Sequence, residues 1–398
     1  MMMQIVKFIA YSICYLFYPL SFLVPRSRRI LVFGSFRGAF NDNAKYLYLY
    51  ANSHLSSEYR PIWISTKQST VKHIQQLGYE AYWVFSPVGF WYALKGKYWF
   101  VNSYTADILF CLSGGATIVN LWHGLPWKCI EYGIKKGPLA KRYSREDKRD
   151  VFFHPACFIK PNYVLSGGEF ISEIFAYSFR IRKDQCLQFG YPRNSLLGCS
   201  KAEVMAFIRK FESSQTLALA ERMQAYKKVY IYMPTWRDSQ KKLFAKGIDL
   251  KALNDVMAEQ SSLTILKPHP NTEMPEHVEY SNLTFMDSTA DVYALLPLTD
   301  VLITDYSSIM FDYPLMDGKS QILYQYDYDE YVAEREFNFP LEGNIIGRKV
   351  VSFEELIQVL RTEDFSLDEQ DRQRFLDKFW GETKDKDSSK EILDKVLC

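Results

Sequence analysis

Short apolar runs alternate with amphipathic stretches along this 398-residue chain from residue 30 onward. A run of four or five apolar residues bounded by turn residues is typical of a buried strand, and the amphipathic stretches are typical of helices. The alternation therefore predicts an α/β fold with parallel sheets. In the first half, strands are predicted at 30–34, 61–65, 81–85, 98–102, 117–121, 163–166 and 186–189, and helices include 43–54 and 171–179.

The second half repeats this pattern after a turn at Tyr191, Pro192 and Arg193. Because 398 residues exceed what one hydrophobic core usually supports, we expect two α/β domains, at 30–195 and 196–398. Two Rossmann-like domains facing a cleft are the GT-B arrangement, which is the predicted fold class. Strands are predicted at 229–233, 263–267, 283–286, 301–304 and 321–324, and helices at 202–211, 217–226, 352–362 and 369–380.

Residues 1–29 differ from the rest, because 8–25 contain no charge and are followed by Arg26, Arg28 and Arg29. This segment is at the lower length limit for a membrane span, and its tyrosines favour a helix in the membrane interface over a spanning helix or one buried against the protein. It lacks the cleavage site of a signal peptide. The arginines predict a protein at the cytoplasmic face of the cell membrane.

The amino-acid composition argues against several classes of function. The 48 basic and 46 acidic residues nearly cancel, which argues against a nucleic-acid partner. Seven cysteines without a Cys-x-x-Cys pair indicate neither a disulfide framework nor a zinc site, so we predict a reducing compartment, no protein-held metal and no cofactor.

Three short segments at predicted strand ends carry groups that handle phosphate: Trp122-His123-Gly124, Lys267-Pro268-His269-Pro270 and Thr304-Asp305-Tyr306-Ser307-Ser308. Ligands of open α/β sheets bind beyond the carboxyl ends of the strands. These segments therefore predict one composite site, complete when the two domains face each other, in an enzyme that acts on a phosphorylated substrate.

His123 is the candidate proton acceptor. It follows a strand and precedes Gly124 and Pro126, so its imidazole is expected to be fixed in a turn, where it could take a proton from an attacking hydroxyl. A structural histidine that hydrogen-bonds the loop is the alternative for a lone histidine, but the neighbouring motifs favour catalysis.

The other segments supply anion-binding candidates. Side chains two apart on an extended backbone point the same way, so Lys267 and His269 could both face one anion, and an exposed lysine on a capped loop is the alternative. Ser307 and Ser308 open a predicted helix at 309–315, whose free amides would attract phosphate. Asp305 could cap that helix or bind a sugar hydroxyl.

A fourth loop, 234–238, follows the strand at 229–233. Arg237 offers a planar fork suited to phosphate, while Trp236 could pack and Asp238 could hold the arginine.

The segment from Lys135 to Arg149 is basic, because it contains seven basic residues and only two acidic ones, Glu146 and Asp147. It could contact anionic lipid head groups or a phosphate polymer, and an exposed, solvated loop has equal weight.

Together these motifs resemble the CDP-glycerol glycerophosphotransferases of teichoic acid and related capsule synthesis. The likeness covers most of the chain after Arg29, and motifs in the family's order are more specific than any one of them. They are Ser35-Phe36 with Asp42-Asn43, Trp122-His123-Gly124 with Pro126 and Lys128, Gly190 to Asn194, Pro234 to Asp238, Lys267 to Pro270, and Thr304 to Ser308 with Phe311-Asp312.

The resemblance implies a GT-B fold and a CDP-polyol donor. The phosphopolyol of the donor, expected to be glycerol phosphate, would be transferred to a hydroxyl of a lipid-linked or polymer acceptor, and CMP would be released. His123 would be the general base. The donor's phosphates would be bound by His269, Ser307, Ser308, Lys267 and Arg237, with Asp305 and Thr235 near its nucleotide or polyol.

Two positions depart from the family pattern. Ser195 stands where an acidic residue is usual, and 340–343 lack the usual Pro-Gly pair. A GT-B glycosyltransferase using a sugar nucleotide and a non-catalytic polymer-binding module remain alternative functions.

Overall fold

The computed structural model describes residues 2–235, 247–268 and 279–398. The chain forms two compact units. One contains Met1–Ser195 and Trp380–Cys398, and the other contains Leu196–Phe379.

The first unit is built on a seven-stranded sheet in which all neighbours are parallel, in the order β3-β2-β1-β4-β5-β6-β7. The strand order reverses between β1 and β4, and the ends of these strands are where an open α/β sheet binds ligands. The strands are β1 Ser27–Gly34, β2 Arg60–Ser65, β3 Ala81–Trp83, β4 Gly96–Val101, β5 Thr117–Asn120, β6 Tyr163–Ser166 and β7 Cys186–Gln188. The helices are α1 Met2–Ser21, α2 Asp42–His54, α3 Gln68–Gln76, α4 Pro87–Lys95, α5 Gly137–Tyr143, α6 Lys148–Phe153 and α7 Glu169–Phe179.

The second unit has a six-stranded parallel sheet in the order β10-β9-β8-β11-β12-β13, which reverses between β8 and β11. Its strands are β8 Val229–Met233, β9 Leu263–Leu266, β10 Leu283–Phe285, β11 Val301–Thr304, β12 Ser320–Tyr324 and β13 Arg348–Val350. Its helices are α8 Lys201–Phe211, α9 Ser214–Met223, α10 Leu250–Glu259, α11 Ile309–Asp312, α12 Tyr328–Glu334, α13 Phe353–Thr362 and α14 Glu369–Phe379.

The predicted α/β class is confirmed, and every predicted strand is present. Strands covered on both faces are apolar at successive positions, and β11 is buried from end to end, so such strands are visible in the sequence. β13 was not predicted, because two of its three residues, Arg348 and Lys349, are charged and exposed.

The last residues of the chain correct the predicted division. Residues 380–398 were placed in the second domain, but they belong to the first unit. Helix α15, Ser388–Leu397, contacts α2, and the Trp380 ring meets the Tyr191 ring edge-on at 5.6 Å. The sequence pattern could not predict these contacts, because the aromatic and apolar partners are distant in the sequence.

Helix α1 packs on the first unit through one face. Tyr11, Tyr15 and Tyr18 surround Phe110, with ring centroids 6.2, 5.8 and 6.2 Å from it. The opposite face exposes aliphatic side chains, namely Ile5, Ile9, Ile13, Leu16 and Leu20. By length and composition alone, α1 is also long and apolar enough to cross a membrane. Some core helices of soluble proteins and some signal sequences share these two properties.

Arg26 is not part of an exposed basic cluster. Its guanidinium donates to the carbonyl oxygens of Gly96 at 2.7 Å and Gly114 at 2.8 Å. Burial lowers the pKa of Arg26 to about 10, so it stays charged at neutral pH. Arg28 and Arg29 are exposed.

Candidate active site

His123 lies in a tight turn beyond the end of β5. Gly124 has a φ of +152°, which glycine adopts readily, whereas Trp122 has a φ of +51°, a left-handed conformation that is rare for residues other than glycine. Such conformations cost free energy and persist only where surrounding contacts impose them. We therefore expect contacts within the first unit to hold this turn in its conformation.

Two asparagines impose this turn. The Asn43 amide, fully buried at the start of α2, donates to the carbonyl oxygens of Leu121 at 3.2 Å and Trp122 at 2.9 Å. The Asn120 side chain accepts from the Trp122 N–H at 2.9 Å. The backbone on either side of Trp122 is thus held by side chains from two different elements.

The His123 ring is oriented by a backbone carbonyl and by a neighbouring ring. Its Nδ1 lies 3.3 Å from the carbonyl oxygen of Asn102, and its centroid lies 4.4 Å from the Trp122 ring. Because a carbonyl only accepts hydrogen bonds, Nδ1 carries the proton and Nε2 keeps its lone pair. This tautomer leaves Nε2 as the proton acceptor.

The surroundings favour the neutral form of His123. Part of the residue is exposed to solvent, yet loss of hydration by the surrounding protein is the largest cause acting on the ring and lowers its pKa. The Asp42 carboxylate opposes that shift, whereas Arg193 and Lys128 add to it. A histidine with a pKa below 6.5 is mostly neutral at physiological pH, as a general base must be.

The Gly-Tyr-Pro-Arg-Asn motif supports the same turn. The Tyr191 hydroxyl donates to the Gly124 carbonyl oxygen at 3.3 Å, and the Arg193 N–H donates to the Asn43 side chain at 3.2 Å. The guanidinium of Arg193, 3% exposed, pairs with Asp42 at 2.8 Å. The family motifs at 42–43, 122–124 and 190–194 therefore meet in one cluster.

Asn102 and Asn120 are the residues of this cluster that sequence reasoning missed. The Asn102 side chain accepts from the Ala44 N–H at 2.9 Å and donates to Ser35 Oγ at 2.8 Å. The only sequence signal was an amide at the end of an apolar run, on two adjacent strands. An amide at the end of a strand is compatible with many kinds of turn, so the roles of Asn102 and Asn120 could be recognised only from their neighbours in the structure.

In the second unit, the loops after β8 and β11 are joined by Asp305. This carboxylate is fully buried and accepts from the Thr235 N–H at 2.9 and 3.1 Å. Thr304 Oγ1 also donates to the Met233 carbonyl oxygen at 2.8 Å. Asp305 was expected to cap a helix or bind a sugar hydroxyl; in the structure its buried carboxylate holds the two loops together through the Thr235 N–H.

Ser307 and Ser308 are partly exposed at this edge of the sheet, where ligand could reach them. The helix expected at 309–315 is only one α-helical turn, Ile309–Asp312, followed by a 3₁₀ turn at Tyr313–Leu315 that contains Pro314. One turn provides little helix dipole. Any anion here would be held by local N–H groups and serine hydroxyls.

Lys267 has a structural role in this geometry. Its ammonium group donates to the carbonyl oxygens of Asp287, Ser288 and Ala290 at 3.0, 2.7 and 3.0 Å. An ammonium group has three N–H donors, so these bonds use all of them. Burial lowers the pKa of Lys267 to about 8, while Asp291 and Asp287 oppose the shift. The expected phosphate contact is not supported by this arrangement.

Replacing Lys267 with methionine is expected to destabilise the second unit. Loss of the ammonium leaves three loop carbonyls without this donor, at a cost of about 1–3 kcal/mol. Chemical unfolding would measure the change, with the exposed Lys227→Met as the control. Equal stability of both variants, with weaker binding of CDP-glycerol only in Lys267→Met, would instead assign Lys267 to the ligand.

His269 and Arg237 lie outside the described residues, so their predicted phosphate contacts stay predictions. Among residues 2–235, 247–268 and 279–398, no group of three or more His, Cys, Asp or Glu residues is placed to hold a metal ion.

Comparison with known proteins gives a consistent result. The sequence model of the family described as CDP-Glycerol:Poly(glycerophosphate) glycerophosphotransferase matches residues 16–398. The teichoic acid poly(glycerol phosphate) polymerase of Bacillus spizizenii is 28% identical over 400 residues, covering 94% of this chain and 93% of that protein. The teichoic acid glycerol-phosphate transferase of Staphylococcus aureus is 29% identical over 377 residues, covering 91% and 90%.

The solved structure of the wall teichoic acid polymerase TagF has the same fold. It matches with a TM-score of 0.74 at 23% identity, and the match covers 99% of this chain and 97% of that one. The predicted GT-B type of two α/β units is thereby confirmed.

Proposed function

The chain belongs to the CDP-glycerol:poly(glycerophosphate) glycerophosphotransferase family, and from this premise we propose that it transfers glycerol phosphate from CDP-glycerol to a hydroxyl of a teichoic acid-type polymer or its lipid-linked precursor. CMP is the other product. The observation that carries the proposal is the fixed His123 ring at the strand ends, with Nδ1 committed to the Asn102 carbonyl. The family match favours this reaction over sugar transfer and over binding without catalysis.

The reaction is an in-line displacement at the phosphorus that bears glycerol. The acceptor oxygen forms the new O–P bond while the P–O bond to CMP breaks, and Nε2 of His123 takes the acceptor's proton. Such transition states are stabilised mainly by positioning and by neutralisation of phosphate charge. His123 is therefore assigned to the acceptor side of the reaction.

We assign the donor's phosphates to the strand ends of the second unit. Ser307 and Ser308 offer hydroxyls there, and Asp305 keeps the loops after β8 and β11 together. His269 and Arg237 are assigned to the same phosphates on the sequence motifs.

The test is product formation from a panel of donors. Purified protein is incubated with a lipid-linked acceptor and CDP-glycerol, CDP-ribitol or a UDP-sugar, and the products are identified by mass spectrometry. The proposal expects CMP and an acceptor heavier by glycerol phosphate only with CDP-glycerol. Transfer from the UDP-sugar would support the glycosyltransferase alternative.

We also propose that the first unit binds a membrane surface through α1 and α4. The aliphatic face of α1 is exposed, Phe17 of α1 meets Phe90 of α4 at 6.2 Å, and Trp91 of α4 is exposed beside Lys95. An exposed apolar helix face with tryptophan and basic residues at its edge is typical of an interfacial helix. The attachment would lie on the cytoplasmic face of the cell membrane, where a lipid-linked acceptor is available.

Leu16→Glu is expected to weaken binding to anionic lipid vesicles at least tenfold. Leu16 is 71% exposed, and burying a leucine in a bilayer contributes roughly 1.5–3 kcal/mol, which glutamate would forfeit. Vesicle sedimentation measures the change. The control, Val351→Glu, alters an apolar side chain of the second unit that is 56% exposed, and it should leave binding unchanged. Equal binding by the two variants would contradict attachment through α1.

A further inference from the structure

A pocket of about 460 Å³ opens in the first unit beside α5 and the end of α7. Its lining brings together three cationic side chains, Lys135, Lys141 and Arg180, against one carboxylate, Glu146. The remaining lining is mostly aromatic and aliphatic and includes Tyr132, with Ser144 and Gly137 completing it. We call this the α5 pocket; it contains only part of the basic segment 135–149 and adds Arg180 from outside it.

The Arg180 guanidinium stacks on an aromatic ring of the α5 pocket. Its guanidinium carbon lies 3.6 Å from the centre of the Tyr132 ring, a close stacked contact. Within the described residues, its guanidinium forms no ion pair. A stacked guanidinium keeps its N–H edge available for two parallel hydrogen bonds to one phosphate.

The basic segment is not a uniform solvated loop. Arg142 is turned inward and pairs with Asp150, and Arg145 lies 4.9 Å from the centre of the Phe158 ring. Of the segment's basic residues, Lys135 and Lys141 thus line a concave surface, together with Arg180 from outside the segment.

The α5 pocket is linked to both functional parts of the first unit. Helix α7, whose C-cap residue is Arg180, places Phe179 edge-on against Trp122 at 5.1 Å, and Trp122 contacts His123. Helix α5 leads into α6, whose Phe152 stacks on Phe8 of α1 at 5.0 Å. Packed aromatic side chains therefore connect the elements that line the pocket with the His123 turn and with the helix proposed to meet the membrane.

We propose that the α5 pocket binds a phosphodiester group of the acceptor chain, next to the end that receives the new unit. This inference rests on the proposed function for the identity of the acceptor. Cationic groups would neutralise the phosphate, and Tyr132 and the aliphatic lining would contact the polyol carbons. A concave pocket with a stacked arginine suits a polyol phosphate chain better than the flat surface of a bilayer.

Arg180→Gln is the direct test. With CDP-glycerol saturating, we expect the KM for a water-soluble glycerol phosphate oligomer to rise at least fivefold, while kcat and the KM for CDP-glycerol stay within twofold. Lys72→Gln, an exposed lysine of α3, removes the same charge at a distance from the pocket and should leave all three constants unchanged. An unchanged acceptor KM in Arg180→Gln would overturn the proposal.

A second arm separates the polymer from lipid head groups. Lys141→Gln should raise the acceptor KM as Arg180→Gln does, while both variants bind anionic vesicles like wild type. Weaker vesicle binding with an unchanged acceptor KM would assign the α5 pocket to head groups and overturn the proposal.

Binding of the same oligomer to the protein, measured by calorimetry in the absence of donor, tests the α5 pocket independently of catalysis. Weaker binding by Arg180→Gln supports the pocket even if wild type releases no CMP, an outcome that would reject only the proposed reaction. Equal binding by Arg180→Gln and wild type would reject the pocket.

Discussion

The His123→Ala variant is expected to lose about 10²- to 10⁴-fold in kcat with CDP-glycerol, the range typical for removal of a general base. The reason is the ring's geometry: Nδ1 faces the Asn102 carbonyl at 3.3 Å, so Nε2 is the atom left to accept a proton. The KM for CDP-glycerol should change little, because the donor's phosphates are assigned to the second unit. Steady-state release of CMP measures both constants.

His54→Ala is the matched control for this variant. His54 is an exposed histidine at the end of α2, and its Nδ1 also lies near a carbonyl oxygen, that of Tyr50 at 3.0 Å. It should keep wild-type kcat. Full activity in His123→Ala would remove the general-base assignment.

Asn43→Asp is expected to lower kcat at least 30-fold, although the side chain keeps its size. The substitution replaces the donor that bonds the Leu121 and Trp122 carbonyls with an acceptor oxygen. A buried carbonyl without its partner costs about 1–3 kcal/mol, enough for the turn to relax and move the imidazole. Asn43 is a positioning residue, so the pH dependence of the remaining activity should shift as well.

Asn52→Asp makes the same change at a half-buried position of α2, where the Asn52 amide donates to the Tyr48 carbonyl at 2.9 Å. It should alter kcat by less than threefold. Thermal unfolding of both variants separates loss of fold from loss of position. If Asn43→Asp is folded and retains wild-type kcat and pH dependence, the asparagine does not hold His123 in place.

The sequence predicted the fold well where burial is continuous. Strands β8 and β11 have almost no solvent-facing side chains, so their apolar runs were sufficient evidence. Edge strand β13 and helix α15 were not recognised, because a charged three-residue strand has no apolar run and the docking of α15 depends on partners hundreds of residues away.

From the sequence the site could be proposed only in outline, and the roles of its residues stay predictions. His123 and the two serines could be named, because their motifs follow predicted strand ends in a family's order. The hydrogen bonds were not predictable: spacing placed Lys267 toward an anion, whereas its ammonium bonds three backbone carbonyls. Asn102 could not be singled out, since its function lies in contacts with Ser35, Ala44 and His123.

The measurement that tests the central claim most directly is the pH dependence of single-turnover transfer from CDP-glycerol. Because loss of hydration lowers the pKa of His123 below 6.5, the wild-type rate should be level at neutral pH. It should fall only below the depressed pKa of His123, approaching a tenfold loss per pH unit as the base becomes protonated. In His123→Ala the residual rate should lack this decline. The same decline in both proteins would show that another group takes the acceptor's proton.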